Sequence, residues 1–386
     1  MKILKRYVLR ELIGPTILGL LFFTFLLFIT RIFRLADILM SEGIDTGLVL
    51  GFAACLLPAL FTFTVPSAVL VGVLISFGRL TTDNEILAVR TSGIHLMTIF
   101  RPIILFGVFV SILMMWMNFS LLPNLNYKSN EYLHQIEFQL YNTLRPNRFY
   151  DELGSGGADI TLYFSGREPE TGTLNGIMMK IISNASTFTG EEEIQKEGPP
   201  EKKETLLLAE RGNLSTEKET RSIRFRLYNG SFHPLSGDKS QNTVIYFDEL
   251  VRNISPEMDR VYGGVYYKKE REMTVPELKD KINRIKVSDP EEANESRVAL
   301  FQRFSNPLAC LAFILIGMPL AIYIRPSGKS VGFAVSFGLL FFYYLLMKWG
   351  ASIGEVGHRL TPLAVFSPNI ILGLIGSVLI YLQIRK

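Results

Sequence analysis

Cysteine and histidine are scarce in this chain of 386 residues, and their scarcity excludes several kinds of site. The two cysteines, Cys55 and Cys310, lie far apart inside apolar runs, without a CxxC or Cys/His spacing. A disulfide framework and a metal centre are therefore not expected. The histidines show no ligand spacing either, and we expect neither a metal nor a cofactor. They are His95, His134, His233 and His358.

A complete nucleotide-binding motif is also missing. SGKS at 327–330 resembles the end of a P-loop, but Tyr323 stands where the motif needs a glycine. The charged residues of the chain's middle segment are spread as on a solvated surface, so the sequence does not favour an enzyme. A net charge of +4 is too small to indicate a surface that binds nucleic acid.

Apolar residues are abundant and unevenly placed. They make up 48% of the chain, against 20% charged residues, and the mean hydropathy is +0.26. These averages indicate membrane-spanning and water-exposed parts in one chain. Six stretches reach the ~20 residues that a helix needs to cross a bilayer. They are 12–34, 48–78, 99–122, 304–324, 331–350 and 363–384, with Pro58, Pro66 and Pro319 inside them.

Lysine and arginine are distributed unequally between the two sets of short loops. Cytoplasmic loops of membrane proteins carry the excess of these residues. Both termini and the loop at 79–101 are therefore expected in the cytoplasm, and the basic N-terminus is expected to be retained rather than cleaved. The richer set is Lys2, Lys5, Arg6, Arg10, Arg79, Arg90, Arg101, Arg325, Lys329, Arg385 and Lys386. The poorer set is Arg31, Arg34, Lys348 and Arg359, with acids Asp37, Glu42, Asp45 and Glu355.

The long segment at 123–303 has a different character. It contains short β-type runs separated by turn-rich gaps, which predicts a sandwich, a jelly roll or an open barrel. Thr274 and Glu277 fit a capping box, so a helix is expected to begin there. The β-type runs are 160–164, 177–182, 205–210, 222–228 and 243–250, and in the fourth Ile223, Phe225 and Leu227 alternate with Arg224, Arg226 and Tyr228.

The predicted fold is a membrane α-helical protein of six transmembrane helices with an inserted periplasmic all-β, jelly-roll-like domain between helices three and four. The expected divisions are helices one to three over 1–122, the β-domain over 123–272, a helical connector over 273–303 and helices four to six over 304–386.

Two features of the sequence could carry function. Arg31 and Arg34 lie three residues apart, where a helix that begins near residue 12 and rises ~1.5 Å per residue leaves the membrane core. They are either interface residues, with Asp37 as a local partner of Arg34, or a cationic pair for a phosphorylated lipid.

The second feature is the stretch TTDNEILAVRTSG at 81–93. Thr82 and Glu85 fit a capping box and Gly93 a helix stop, so a short amphipathic helix is expected at about 82–93. Arg90 lies five residues after Glu85, which is not the spacing of a helical ion pair. Glu85 is either a cap or an acid that waits for a partner on another chain.

The chain resembles the LptF/LptG family, the permease subunits of the lipopolysaccharide export ABC transporter. The resemblance covers nearly the whole chain and rests on an ordered set of segments. These are KRYVLRE (5–11), ITRIFRL (29–35), RLTTDNEILAVRTSG (79–93), MTVPEL (273–278) and GMPLAIYIRPSGKSVGFAVSF (317–337).

The resemblance implies a subunit of the bacterial inner membrane that moves lipopolysaccharide with a partner's ATP. The implied partners are a cytoplasmic ATPase dimer of the LptB type, a second permease subunit of the same family and periplasmic jelly-roll proteins of the LptC/LptA type. It also implies that the short helix after span two contacts the ATPase, and that Arg31 and Arg34 contact lipid phosphates or sugars. The helix residues concerned are Glu85, Ile86, Leu87, Val89 and Arg90.

Two alternatives stay open from the sequence. One is another ABC-type lipid or lipoprotein exporter permease, although those place the outer domain after the first of four spans. The other is a membrane-tethered sensor or scaffold with a periplasmic β-domain, which would leave the cationic pair unexplained.

Overall fold

The computed structural model describes residues 2–39, 45–142, 145–150, 158–168, 172–183, 203–217, 222–235, 244–254, 261–262, 265–266, 268–324, 329–357 and 360–385. The chain divides into two compact units, which are described separately. The helical unit comprises Met1–Met40, Thr46–Leu133 and Lys269–Lys386, and the sheet unit comprises Ser41–Asp45 and His134–Lys268.

Nine α-helices and one π-helical turn occur in the described residues. Six of them are long and apolar enough to cross a membrane, which confirms the prediction of six spanning helices. The third span, expected over 99–122, lies in a helix that runs through the π-turn and on to Asn142. The elements are α1 Lys2–Leu39, α2 Thr46–Thr82, α3 Glu85–Thr91, α4 Met97–Trp116, the π-helix Met117–Leu121, α5 Leu122–Asn142, α6 Val275–Ile285, α7 Pro290–Ile324, α8 Lys329–Glu355 and α9 Thr361–Arg385.

The core of the helical unit is apolar and closely packed. Phe77 of α2, Phe100 of α4 and Phe313 of α7 are fully buried, and the first two rings lie 6.0 Å apart. Glycines let the helices approach, and a Cβ on Gly317 of α7 would lie 3.1 Å from Val73 of α2. Since lipid chains are as apolar as these side chains, close packing is what holds such helices together.

The connector before the fourth span begins as the sequence predicts. The Thr274 hydroxyl accepts a hydrogen bond from the Glu277 amide, and the Glu277 carboxylate accepts one from the Thr274 amide at 2.7 Å. In α6, Lys281 lies between Glu270 and Glu292, the latter at 2.7 Å. Burial lowers the pKa of Lys281, but hydrogen bonds to the two carboxylates outweigh it and the net pKa is raised.

The sheet unit contains one six-stranded antiparallel sheet in which the strands pair in chain order. All five β-type runs predicted from the sequence overlap its strands, which confirms them. A separate two-stranded ladder joins β7 to β8. The strands are β1 Phe149–Tyr150, β2 Ala158–Arg167, β3 Leu174–Ser183, β4 Lys203–Glu217, β5 Ser222–Pro234, β6 Ile245–Ile254, β7 Val261–Tyr262 and β8 Val265–Tyr266.

The alternation of inward and outward residues changes phase within these strands. Residues on one face of a strand are normally separated by even steps. On β3, however, Leu174 and Ile177 are three positions apart, and on β5, Leu227 and Phe232 are five apart. All four contribute to the same apolar cluster. In each of these two strands, the residues that face the cluster therefore change from even to odd positions, or the reverse, between the two named residues.

Two residues with positive φ mark where the shift occurs. Gly176 on β3 has a φ of 60° and Asn229 on β5 has a φ of 51°, in the left-handed region that turns a strand as a bulge does. The flanking register places both opposite Glu210 of β4, and places Asp248 of β6 opposite Asn229. We call this line of residues the crease. It lets a single sheet keep apolar side chains on one cluster along its whole length.

Candidate functional site

The short helix that the sequence predicts at about 82–93 is present as α3. Asn84 precedes it in the left-handed conformation, with a φ of 58°, and Gly93 follows it with a φ of 75°. Gly93 therefore ends the helix as expected, since glycine adopts this conformation without strain. The amide of Ile94 then bonds back to the carbonyl of Val89 at 3.2 Å.

The capping box predicted for Thr82 and Glu85 is wrong. Helix α2 extends through Thr82, whose hydroxyl donates to the carbonyl of Gly78 at 2.9 Å instead of capping α3. The residue before α3 is Asn84, and its side chain makes no capping hydrogen bond. Because Thr82 has helical geometry, its hydroxyl reaches the carbonyl four residues back.

One face of α3 packs on the helical core. Ile86 is 5% exposed, and Val89, three residues on, packs on the same cluster. Leu87 is 55% exposed, and Ala88 is exposed beside it. The apolar residues of the helix are thus divided between two faces. Ile86 and Val89 fix the helix to this chain, and Leu87 is left at the surface.

Glu85 has a hydrogen-bond partner in its own chain, which neither of the two alternatives from the sequence included. The Tyr7 hydroxyl in α1 donates a hydrogen bond to Glu85 Oε1 at 3.0 Å. Tyr7 is exposed and Glu85 is half-buried, so water competes for this bond. The carboxylate can accept further hydrogen bonds, because each of its oxygens has two lone pairs.

A charged brace joins α1 to the end of α2 next to this site. Arg79 Nη1 lies 2.6 Å from Glu11 Oε1, and Arg79 Nε lies 3.5 Å from Asp83 Oδ2. The Ser76 hydroxyl also donates to the carbonyl of Glu11 at 3.1 Å. Because the Arg79 and Asp83 side chains are about half exposed, the brace orients the helices more than it stabilises them.

Arg90 turns towards the interior of the unit. Its Nη2 donates to the carbonyl oxygen of Gln383, in the last turn of α9, at 3.1 Å. The Gln383 side chain in turn donates to the carbonyl of Pro319 in α7 at 2.8 Å. Sequence reasoning did not find Tyr7 or Gln383, because only the tertiary fold brings them next to α3.

Arg31 and Arg34 belong to α1 by backbone, and their side chains lie outside the described residues. The side chain of Asp37 also lies outside the described residues. Among the residues that are described, no group of three or more His, Cys, Asp or Glu side chains could hold a metal ion.

A family model described as lipopolysaccharide export system permease LptF/LptG matches residues 6–382. The chain belongs to the LptF/LptG family. No individual curated protein matches it. As an LptF/LptG protein with six helices able to span a bilayer, it is a multi-pass membrane protein of lipopolysaccharide export, and this confirms the resemblance found in the sequence.

Proposed function

We propose that this LptF/LptG chain is one permease subunit of an ATP-driven exporter in the bacterial inner membrane. It takes lipopolysaccharide from the outer leaflet and passes it to a periplasmic bridge of β-jelly-rolls of the LptC/LptA type. A second permease subunit of the family completes the path, and a cytoplasmic ATPase dimer of the LptB type drives it. Both termini are cytoplasmic, and the β-domain between spans three and four is periplasmic.

The observation that carries this proposal is the two-sided character of α3. Ile86 fixes its inner face to the spanning helices, while Leu87 and the Glu85 carboxylate remain accessible. The helix follows α2 after a two-residue turn, so a force applied to α3 reaches a spanning helix directly. A short helix that is fixed on one face and open on the other suits an ATPase that binds the open face.

The energy of the cargo supports an external motor. Removing a lipid chain from a bilayer costs on the order of 0.8 kcal/mol for each CH₂. A lipid with several acyl chains therefore needs far more than thermal energy to leave the membrane. The only P-loop-like stretch in this sequence, SGKS at 327–330, lacks its first glycine, so we assign ATP hydrolysis to the partner.

We further propose that Arg31 and Arg34 bind the phosphates of the lipid. Residues three apart in a helix share one side, and the sequence predicts that these two lie near the point where the first span leaves the membrane core. The guanidinium fork matches phosphate oxygens in two parallel hydrogen bonds, and it stays charged at any physiological pH.

Co-purification tests the role of α3. The wild-type chain is expressed with its neighbouring export proteins, and both the bound ATPase and lipopolysaccharide release are measured. Glu85→Ala is expected to lose the ATPase or to stop release. Asp280→Asn is the control, because it removes an exposed acid of α6, outside α3 and the brace, and is expected to keep both. Normal assembly and release in Glu85→Ala would show that α3 is not the coupling element.

Photocrosslinking tests the cationic pair. A photoreactive residue placed beside Arg31 is expected to crosslink to lipopolysaccharide in the wild-type background. Reversing the charge at Arg31 and Arg34 should weaken this crosslink, because phosphate then faces carboxylate. Reversal at Arg10, near the opposite end of the same helix, is the control and should have no effect. Equal crosslinking in all three proteins would make the pair ordinary interface residues.

A further inference from the structure

Arg90 was expected to belong to the surface that contacts the ATPase, but its guanidinium binds inside the chain. It donates to the carbonyl oxygen of Gln383 at 3.1 Å, and Gln383 lies two residues before the end of α9. The last four carbonyls of a helix have no donor within the helix, and they form the negative end of its dipole. An arginine is therefore a good partner for this carbonyl, and the bond is charge-assisted.

Gln383 makes a second bond that extends the link to another span. Its side-chain amide donates to the carbonyl oxygen of Pro319 in α7 at 2.8 Å. The Gln383 Oε1 atom is buried and has no hydrogen-bond partner among the described residues. An unsatisfied buried amide oxygen costs free energy. The bond from the amide nitrogen to α7 is therefore the contact that holds this side chain in place.

Helices α7 and α9 are joined at two further levels. Asn369 of α9 donates to both the carbonyl and the hydroxyl of Ser305 at 2.8 Å, and that hydroxyl donates to the Val365 carbonyl at 3.0 Å. Between these bonds and Gln383, a Cβ on Gly376 would lie 2.5 Å from the Leu315 carbonyl oxygen.

The Leu315 carbonyl is the one that a proline four residues later deprives of its helical donor. Pro319 has no N–H, so α7 could bend at this point. The missing helical hydrogen bond lies between residues 315 and 319 of α7. Helix α9 contacts α7 at both ends of this gap, at Leu315 through Gly376 and at Pro319 through Gln383. The two helices therefore form a pair that resists bending at Pro319.

We propose that Arg90 is a positioning residue that connects α3, through Gln383, to the pair formed by α7 and α9. This inference rests on the proposed function, since it gives the route by which a displacement of α3 reaches spans four and six. In this arrangement the ATPase binds the open face of α3, and Arg90 transmits the displacement without touching the ATPase. Helix α2 provides one route into the membrane, and the Arg90–Gln383 link provides a second.

The link itself can be tested on the purified chain in lipid nanodiscs, without any partner. Hydrogen exchange of the amides at 85–93 is measured for wild type, Arg90→Ala and Arg101→Ala. Loss of a charge-assisted bond should raise the exchange of α3 in Arg90→Ala by about tenfold. Arg101→Ala removes an exposed arginine of α4 and should leave α3 unchanged. Equal exchange in all three proteins would overturn the link.

Transmission is tested in the assembled exporter, by measuring lipopolysaccharide released per ATP hydrolysed. Arg90→Ala should keep the ATPase bound and active, while lipid released per ATP falls several-fold. Arg90→Lys should restore part of the lipid released per ATP, because lysine keeps the positive charge and a hydrogen-bond donor. Gln383→Ala keeps the carbonyl that Arg90 uses but removes the bond to α7. If the two bonds act in series, the double variant should be no worse than either single variant.

The outcomes separate this inference from the function on which it rests. If Arg90→Ala loses the ATPase as Glu85→Ala is expected to, Arg90 is a docking contact and the inference is wrong. If lipid released per ATP is unchanged in Arg90→Ala and Gln383→Ala, the link transmits nothing and the inference is also wrong. If the wild-type chain binds no ATPase, the proposed function fails, and hydrogen exchange still decides whether the link exists.

Discussion

The contact between α7 and α9 at Gly376 allows a sharp comparison of two substitutions in one helix. A Cβ on Gly376 would lie 2.5 Å from the carbonyl carbon and oxygen of Leu315, whereas a Cβ on Gly373 would meet no atom within 4 Å. Both glycines belong to α9, three residues apart. Gly376→Ala therefore tests the contact with α7, and Gly373→Ala controls for the change of residue type.

The expected magnitude follows from these distances. Carbon atoms pack at about 3.5–4.0 Å, so the new methyl group would overlap the backbone of α7 by about 1 Å. Backbone atoms cannot rotate away as a side chain can, and overpacking of this kind costs typically 1–3 kcal/mol. Alanine is better than glycine inside a helix by about 1 kcal/mol. This gain applies to both variants and cancels in their difference, which should therefore be about 1–3 kcal/mol.

Thermal unfolding of the whole chain in one detergent, at one scan rate, measures this difference. Gly373→Ala should unfold slightly above the wild-type temperature, and Gly376→Ala clearly below Gly373→Ala. If Gly376→Ala and Gly373→Ala unfold at the same temperature, the methyl group at residue 376 costs no stability, and α7 and α9 are not in close contact at this point. The α7/α9 pair would then not be stiff, and the Arg90–Gln383 link would lose one of its supports.

Three further predictions concern the connector and the sheet. Thr274→Ala removes the cap of α6 and should lower stability by about 1 kcal/mol in the same unfolding assay. Lys281→Met should destabilise the chain at neutral pH. The folded-state pKa of Lys281 is raised above the ordinary value of 10.5. The wild type should therefore be more stable than Lys281→Met up to about pH 10.5, and this difference in stability should be lost as the pH rises through the folded-state pKa. Gly230→Ala places a methyl group 2.5 Å from the Leu208 carbonyl and against the Phe247 ring, and should destabilise the sheet, which amide exchange reports. Gly166→Ala, whose methyl would lie 3.9 Å from Asn175, should have little effect.

The spanning helices could be predicted from the sequence because length and hydropathy are local properties. The cap at Thr274 could be predicted for the same reason, since both of its hydrogen bonds lie within four residues. The similar pattern at Thr82 gave a wrong prediction because α2 continues through that residue. A capping motif shows where a helix could begin, but it does not show whether the preceding helix has already ended.

The surroundings of α3 could not be predicted in this way. The exposed and buried faces follow roughly from helical spacing, since Ile86 and Val89 are three residues apart and both pack on the core. The bonds from Tyr7 to Glu85 and from Arg90 to Gln383 span 78 and 293 residues. Which helices lie next to each other decides such bonds, and no local pattern in the sequence carries that information.

The crease in the sheet has a consequence for how the strands find their partners. In a uniform sheet, a strand that slips by two residues keeps its apolar side chains on the same face, so hydrophobic pattern alone does not forbid the slip. Here β3 and β5 each reverse their alternation at one position, and the register places Gly176 and Asn229 both opposite Glu210 there. A slip of two residues would displace these positions from one another, and side chains between them would then face opposite sides of the sheet from their neighbours. The crease therefore favours a single pairing register of these strands.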